Sequence, residues 1–182
     1  MRRGVLGLLA LVLLAAGCGD DSRDSGSLAA TEGRACQAIE FDAVERVLGV
    51  RFDTAGGARH DETYTCVLGQ AGHPFPDLTL AMSATDADEL IFRASLTPSG
   101  STPVPDLGRI AYQVELPATT AADGSPSGPR LEVGWLSVGR KLLFLRYTSA
   151  PGETVADVAP KLIALAHKIE AILATPATLA LR

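Results

Sequence analysis

The side chains in this sequence able to do metal, acid–base or thiol chemistry are few: three histidines and three cysteines. The stretch "RHDE", residues 59–62, gathers His60, Asp61 and Glu62 in one turn, and His73 follows in the next loop. Imidazole with carboxylates suits a transition metal, and a histidine so placed could act as a general base. A hydrolase built on the His60 and His73 loops is one reading. A charged, solvated hairpin tip is the other, and it is preferred because no H-E-x-x-H, G-x-S-x-G, phosphate loop or dinucleotide fingerprint accompanies the histidines. His167 and Glu170 lie three apart on the last predicted helix, but His167 projects about 180° from the apolar stripe at about 100° per residue. It is expected to be a solvated surface group. No catalytic residue, metal site or cofactor is expected.

The cysteines say more. Cys18 ends a greasy run, "LVLLAAGC", preceded by Met1, two arginines and continuous apolar residues. A positive start, a short apolar stretch and small residues ahead of a cut are the parts of a secretory signal. The run is too short to cross roughly 30 Å of hydrocarbon as a helix. Leu14-Ala15-Ala16-Gly17-Cys18 also resembles a bacterial lipobox, with Ala15 where leucine is usual. The resemblance implies a diacylglyceryl group (palmitate-like chains) on Cys18 and removal of residues 1–17. Two acyl chains hold a protein at a membrane where one does so only marginally. From Cys18 onward the formal charge is −7, so attraction to anionic lipid cannot do the holding. Residues 19–35 are small and polar, a tether of roughly 23 Å.

With Cys18 lipidated, Cys36 and Cys66 are the pair left, and export places them where disulfides persist. A catalytic thiol or a metal ligand is the alternative, but no C-x-x-C spacing supports metal. The bridge would stabilise the fold by roughly 3.5 kcal/mol on loop-entropy grounds.

The remaining chain has the size of one domain. The expected division is 1–17 signal peptide, 18–35 lipidated cysteine and flexible tether, 36–174 a single domain, and 175–182 a disordered tail. Acidity argues against nucleic acid, which is bound through Lys and Arg. Arginine far outnumbers lysine and asparagine is absent, a bias suggesting a high-GC bacterium such as an actinobacterium.

Periodicity predicts a helix over 36–49, with Val44, Val47 and Leu48 on one face and Gly49 as C-cap. Residues 50–53, 63–69 and 77–83 alternate as three strands, with Gly56-Gly57 marking a turn after the first. Thr85 is expected to cap a helix whose apolar face is Ala87, Leu90, Ile91 and Ala94. A proline-rich loop, a strand over 109–116, a long mobile loop over 119–129 and a hairpin over 130–148 turning at Gly139-Arg140 follow. A last helix from 153 carries Val155, Val158, Leu162, Leu165, Ile169 and Ile172, with Pro160 tolerable in a first turn. The order α-βββ-α-βββ-α predicts an α+β fold: a two-layer sandwich, mainly an antiparallel sheet of about six strands with helices on one face.

An opening cysteine, a helix ending "VLG", a second cysteine about thirty residues on, "VPDLGRIAY" and a long terminal helix together resemble a family of actinobacterial lipoproteins known only as a domain of unknown function. The resemblance spans roughly residues 36–174. Glu40 stands where that family commonly has Ser or Thr, and Asp106 where a second glycine is common. It implies location and fold class and supplies no catalytic residue.

The hairpin over 130–148 has a doubled apolar pattern. Leu131, Val133 and Trp135 serve one face and Leu136 and Val138 the other, while Leu142 and Phe144 oppose Leu143 and Leu145. A half-buried strand alternates more cleanly, so both faces need cover. The 119–129 loop could supply it. Otherwise Trp135, Leu136, Val138 and Phe144 form an apolar patch for a small apolar ligand or an envelope protein, with Leu136 and Phe144 expected on opposite faces. The reading that results is a lipoprotein anchored on the extracytoplasmic face of the cell membrane, a non-enzymatic binding or sensing module. The alternatives are an envelope hydrolase using the His60/His73 loops and a structural subunit of a membrane complex.

Overall fold

A computed structural model of the chain describes residues 34–120 and 123–174; Cys18, the signal and nearly all of the tether lie outside them, as does the tail from 175. The described residues form a mixed α+β fold: a seven-stranded antiparallel sheet and four short or medium helices. Helices α1 (Arg34–Gln37) and α2 (Phe41–Leu48) precede strands β1 (Thr54–His60), β2 (Thr63–Gln70) and β3 (His73–Ala84). Helix α3 (Glu89–Ile91) runs into a π-turn, Phe92–Leu96. Then come β4 (Thr102–Pro103), β5 (Ile110–Leu116), β6 (Arg130–Leu136), β7 (Lys141–Thr148) and α4 (Ala159–Ala174). The strand order is β1-β2-β3-β7-β6-β5-β4.

Alternation sorts the sheet into two faces. One carries Cys66, Leu68, Leu78, Leu80, Val133, Trp135, Leu143 and Leu145. These form the main core with Val44 and Leu48 of α2 and with Leu162, Leu165 and Ile169 of α4. The other face holds a smaller cluster of Phe92, Tyr112, Val114 and Leu136. Helices α1, α2 and α4 thus share the first face, and the α3 segment packs on the second. The expectation of about six strands with every helix on one face holds only in its coarse form.

Several local expectations are revised. The first helix is broken at Ala38–Glu40, where Glu40 turns extended and starts α2 anew. Gly49 ends α2 as expected, left-handed at φ 75° and donating its N–H to Glu45 O at 2.8 Å. The first strand lies not over 50–53 but at β1, and Gly56-Gly57 is no turn: both lie inside this fully exposed edge strand, whose ladder to β2 needs no side chains. The turn falls at Asp61–Glu62, with Asp61 at φ 51°. Asp88, not Thr85, caps α3, accepting from the Ile91 N–H at 2.9 Å. Leu90 and Ile91 are exposed (74% and 48%), and Phe92 is the residue the segment buries. The 119–129 loop is pinned at its ends: Ser127, 5% exposed, accepts from the Thr119 N–H at 3.0 Å. Gly128 packs so tightly that a Cβ would stand 2.3 Å from Ala150 O. The last helix starts at Ala159 with Pro160 in its first turn, where no backbone donor is needed.

Candidate functional site

The segment joining α3 to β5 does not follow the regular patterns on either side of it, and it builds a cleft. The π-turn carries Phe92 inward, where its ring lies 5.7 Å from that of Tyr112, and leaves Arg93 exposed. Thr97 closes the turn by donating its hydroxyl to Phe92 O at 3.1 Å. Further on, "VPDLGRIAY", residues 104–112, folds back on β5 and β6. Val104 donates its N–H to Ala111 O at 3.0 Å, and Arg109 to Leu136 O at 2.7 Å. Asp106 and Gly108 are both left-handed, at φ 60° and 57°. At Gly108 a side chain is excluded, since a Cβ would sit 2.4 Å from Leu136 O and 3.1 Å from Trp135 Cδ1. Between this strap and the π-turn opens a cleft of about 440 Å³, within the range that holds small ligands. Its accessible lining includes Arg93, Pro103, Pro105, Asp106 and Arg109 with half-buried Ile110, while Phe92, Val104 and Leu107 lie buried behind them. Arg109 also meets Glu89 at 3.6 Å, with both side chains more than a third exposed. Unusual backbone concentrates at functional sites more often than elsewhere, and three instances frame this one cleft.

Two carboxylates are buried nearby. Glu132, 5% exposed on β6, receives the Tyr112 hydroxyl at 2.9 Å and both Arg146 Nε (3.0 Å) and its terminal amine. Burial first, then the Glu132 charge, pushes the Tyr112 phenol far above its ordinary 10. Glu170, 9% exposed on α4, accepts from Trp135 Nε1, Ser137 Oγ and the Val138 N–H at 2.9, 3.0 and 3.0 Å. These are hydrogen-bonded struts in which every contact is structural.

The cysteine pair is bridged: Cys36 and Cys66 form a disulfide with Cα atoms 5.0 Å apart, pinning α1 to β2. The histidines do not converge. His60 pairs with Thr63 at one end of β2 and His73 with Gln70 at the other, so the eight-residue strand holds them roughly 25 Å apart. One site using both loops has no geometric basis. His60 lies 3.6 Å from its neighbour Asp61, with side chains 96% and 88% exposed. His167 is half-buried, and its companion Glu170 points into the protein rather than to solvent.

The four hairpin residues do not make a patch. Trp135 and Leu136 are both fully buried, on opposite faces; Val138 is 66% exposed at the turn; Phe144 is half-buried. Leu136 pairs with Leu142, and Gly134 with Phe144, so Leu136 and Phe144 share a face, against expectation. Among the described residues, the second face is covered by Phe92 and Leu96, with none from the 119–129 loop.

Glu132, Glu170 and the two cleft arginines were not legible as a set, yet signals existed for the first two. A turn centred on Gly139 places Glu132 opposite Arg146. Glu170 follows Leu162 and Ala166 at helical spacing on the buried stripe.

Comparison with protein-family models, with curated proteins and with solved structures finds no match to this chain.

Proposed function

We propose that this chain is a lipoprotein of the bacterial cell envelope, held to the membrane by lipid on Cys18, that acts as a non-enzymatic binding or sensing module through the cleft framed by Phe92 and residues 104–112. The anchoring half rests on the lipobox-like run before Cys18 and on a charge that would keep an unlipidated domain off anionic lipid. Its kinship with the actinobacterial lipoproteins it resembles belongs to the same proposal. The bridged Cys36–Cys66 pair accords with an exported protein.

The observation that carries the binding half is the cleft itself. Its accessible lining mixes apolar Pro103, Pro105 and Ile110 with charged Arg93, Asp106 and Arg109, and a π-turn and two left-handed residues frame it. The separation of His60 from His73 weighs against the hydrolase reading.

Native mass spectrometry of the full chain extracted from envelopes tests the binding half. Wild type is expected to carry a small molecule that Ser101→Phe, which narrows the cleft from its half-buried rim, loses while remaining folded. Wild-type chain that emerges bare, or a molecule retained unchanged by Ser101→Phe, contradicts the reading.

A further inference from the structure

The two edges of the sheet are finished differently. At one, β4 is two residues long and holds Pro103, a short strand with a missing donor that blocks further pairing. At the other, β1 is seven residues long, fully exposed, and in unbroken register with β2 from Thr54 to His60. It carries no proline or lysine, and among the described residues no strand pairs with its outer side. We propose that this edge pairs antiparallel with β1 of a second copy of the chain, Gly56 beside Gly56. A two-fold axis normal to the sheet keeps each face on its own side, so Gly56 can meet Gly56 or Ala58 of the second copy but not Gly57. Centring the pair on Gly56 brings Asp53 beside Arg59 and Arg51 beside Asp61, each twice by symmetry, and all four residues are exposed. The next allowed centres, Gly57 and Ala55, bring Asp53 beside Asp61 or Arg51 beside Arg59, and like charges across strands oppose pairing. Within the chain, Asp53 Oδ1 accepts from the Ala71 N–H at 2.7 Å and Arg59 Nε donates to Asp61 O at 2.8 Å. Those contacts use one oxygen and one nitrogen of the two groups. Between the charges lie only Thr54, Ala55, Gly56, Gly57 and Ala58, too small to hold two backbones apart.

Helix α1 sits on the main-core face, bridged through Cys36 to Cys66 of β2. The two-fold keeps both α1 helices on one side of the joined sheet, so two copies held by the Cys18 anchor proposed above can share one membrane. A ladder this short buries less than the roughly 1,600 Å² of a standard interface, and confinement to a membrane supplies the effective concentration that it needs.

Oxidative crosslinking tests the pairing with the full chain, in envelopes and in neutral phosphatidylcholine vesicles. A Cβ at Gly56 meets nothing within 4 Å, so Gly56→Cys fits the strand. Opposed Cα atoms about 4.5–5.5 Å apart lie within disulfide reach. Ala58→Cys is the control, since the axis sets its two copies four residues apart, roughly 13 Å along the strands. Gly56→Cys is expected to link to itself at least about tenfold faster than Ala58→Cys. Adding Arg59→Asp should slow that linking by about tenfold, and adding Asp53→Arg as well should restore it. Asp53→Arg gives up the Ala71 contact; if that variant does not fold, Arg59→Lys, which keeps the charge, should link like the parent and carries the comparison. The proposal is overturned if Ala58→Cys links as fast as Gly56→Cys, if Gly56→Cys stays unlinked or links only to other proteins in envelopes, or if Arg59→Asp changes nothing. Flotation of the vesicles reports the anchor separately. A chain that does not float but links at about 1 mM in solution fails the anchoring reading and keeps the edge pairing; a chain that floats but does not link does the reverse.

Discussion

Trp135 Nε1 donates to Glu170 Oε2 at 2.9 Å, tying the main-core face of β6 to the last turns of α4. The same carboxylate takes Ser137 Oγ and the Val138 N–H, so one side chain closes both the sheet–helix seam and the β6–β7 turn. Glu170→Ala leaves three donors without an acceptor and is expected to cost about 3 kcal/mol. Glu170→Gln, which keeps one acceptor oxygen, should cost less. Urea unfolding of both variants checks this; equal stability of Glu170→Ala and wild type would show the seam to be dispensable.

Glu132 and Arg146 should be coupled. Removing the carboxylate strands the Tyr112 hydroxyl and the guanidinium together, but Arg146 is 40% exposed and water can recover part of the loss. The expected cost of Glu132→Ala is therefore about 2 kcal/mol, below the range for fully buried pairs. A double-mutant cycle with Arg146→Met should show non-additivity; additive losses would mean that the two side chains act independently.

Leu136→Glu and Phe144→Glu separate full from partial burial on one face of the sheet. Leu136 is 0% exposed beneath Phe92, so a carboxylate there is buried without a partner and should prevent folding. Phe144 is half-buried beside Arg146 and should tolerate the charge with a lowered Tm. Circular dichroism during thermal melting distinguishes them, and two equally folded variants would refute the assignment of Leu136 to a sealed cluster.

Burial holds the Asp77 carboxyl above its ordinary 3.8, against the lowering pull of Thr148, Thr79, Arg146 and Arg130. A carboxyl raised in the folded state contributes stability while protonated and loses it as pH climbs through the carboxylate range. Asp77→Asn should therefore melt higher than wild type at neutral pH, with the gap closing as pH falls below 3.8. A gap that widens toward acid would reverse the sign of this account.

Where the chain is regular, its sequence was readable. The β6–β7 hairpin, the left-handed Gly49, the stripe of α4 and the cysteine pairing all follow from period, turn chemistry and count. The failures have physical causes. Gly56-Gly57 reads as a turn locally, but pairing with β2 overrides that preference. Leu90 and Ile91 fit a helical stripe, but the α-helix is only three residues long before the chain winds wider, and Phe92 is the residue it buries. The cleft was illegible for a related reason: its residues meet through left-handed turns at Asp106 and Gly108 that carry no periodic signal. The doubled pattern of the hairpin was a true signal of two covered faces. Nothing local said that Phe92 would be the cover.

The proposed anchor on Cys18 would make this protein a membrane-bound binding module rather than a freely diffusing one. Metabolic labelling with a clickable fatty-acid analogue, compared between wild type and Cys18→Ala, tests it most directly. The account predicts a labelled wild-type chain that has lost residues 1–17, and no label on Cys18→Ala. Label that persists on Cys18→Ala, or a wild-type chain exported without label, would contradict it.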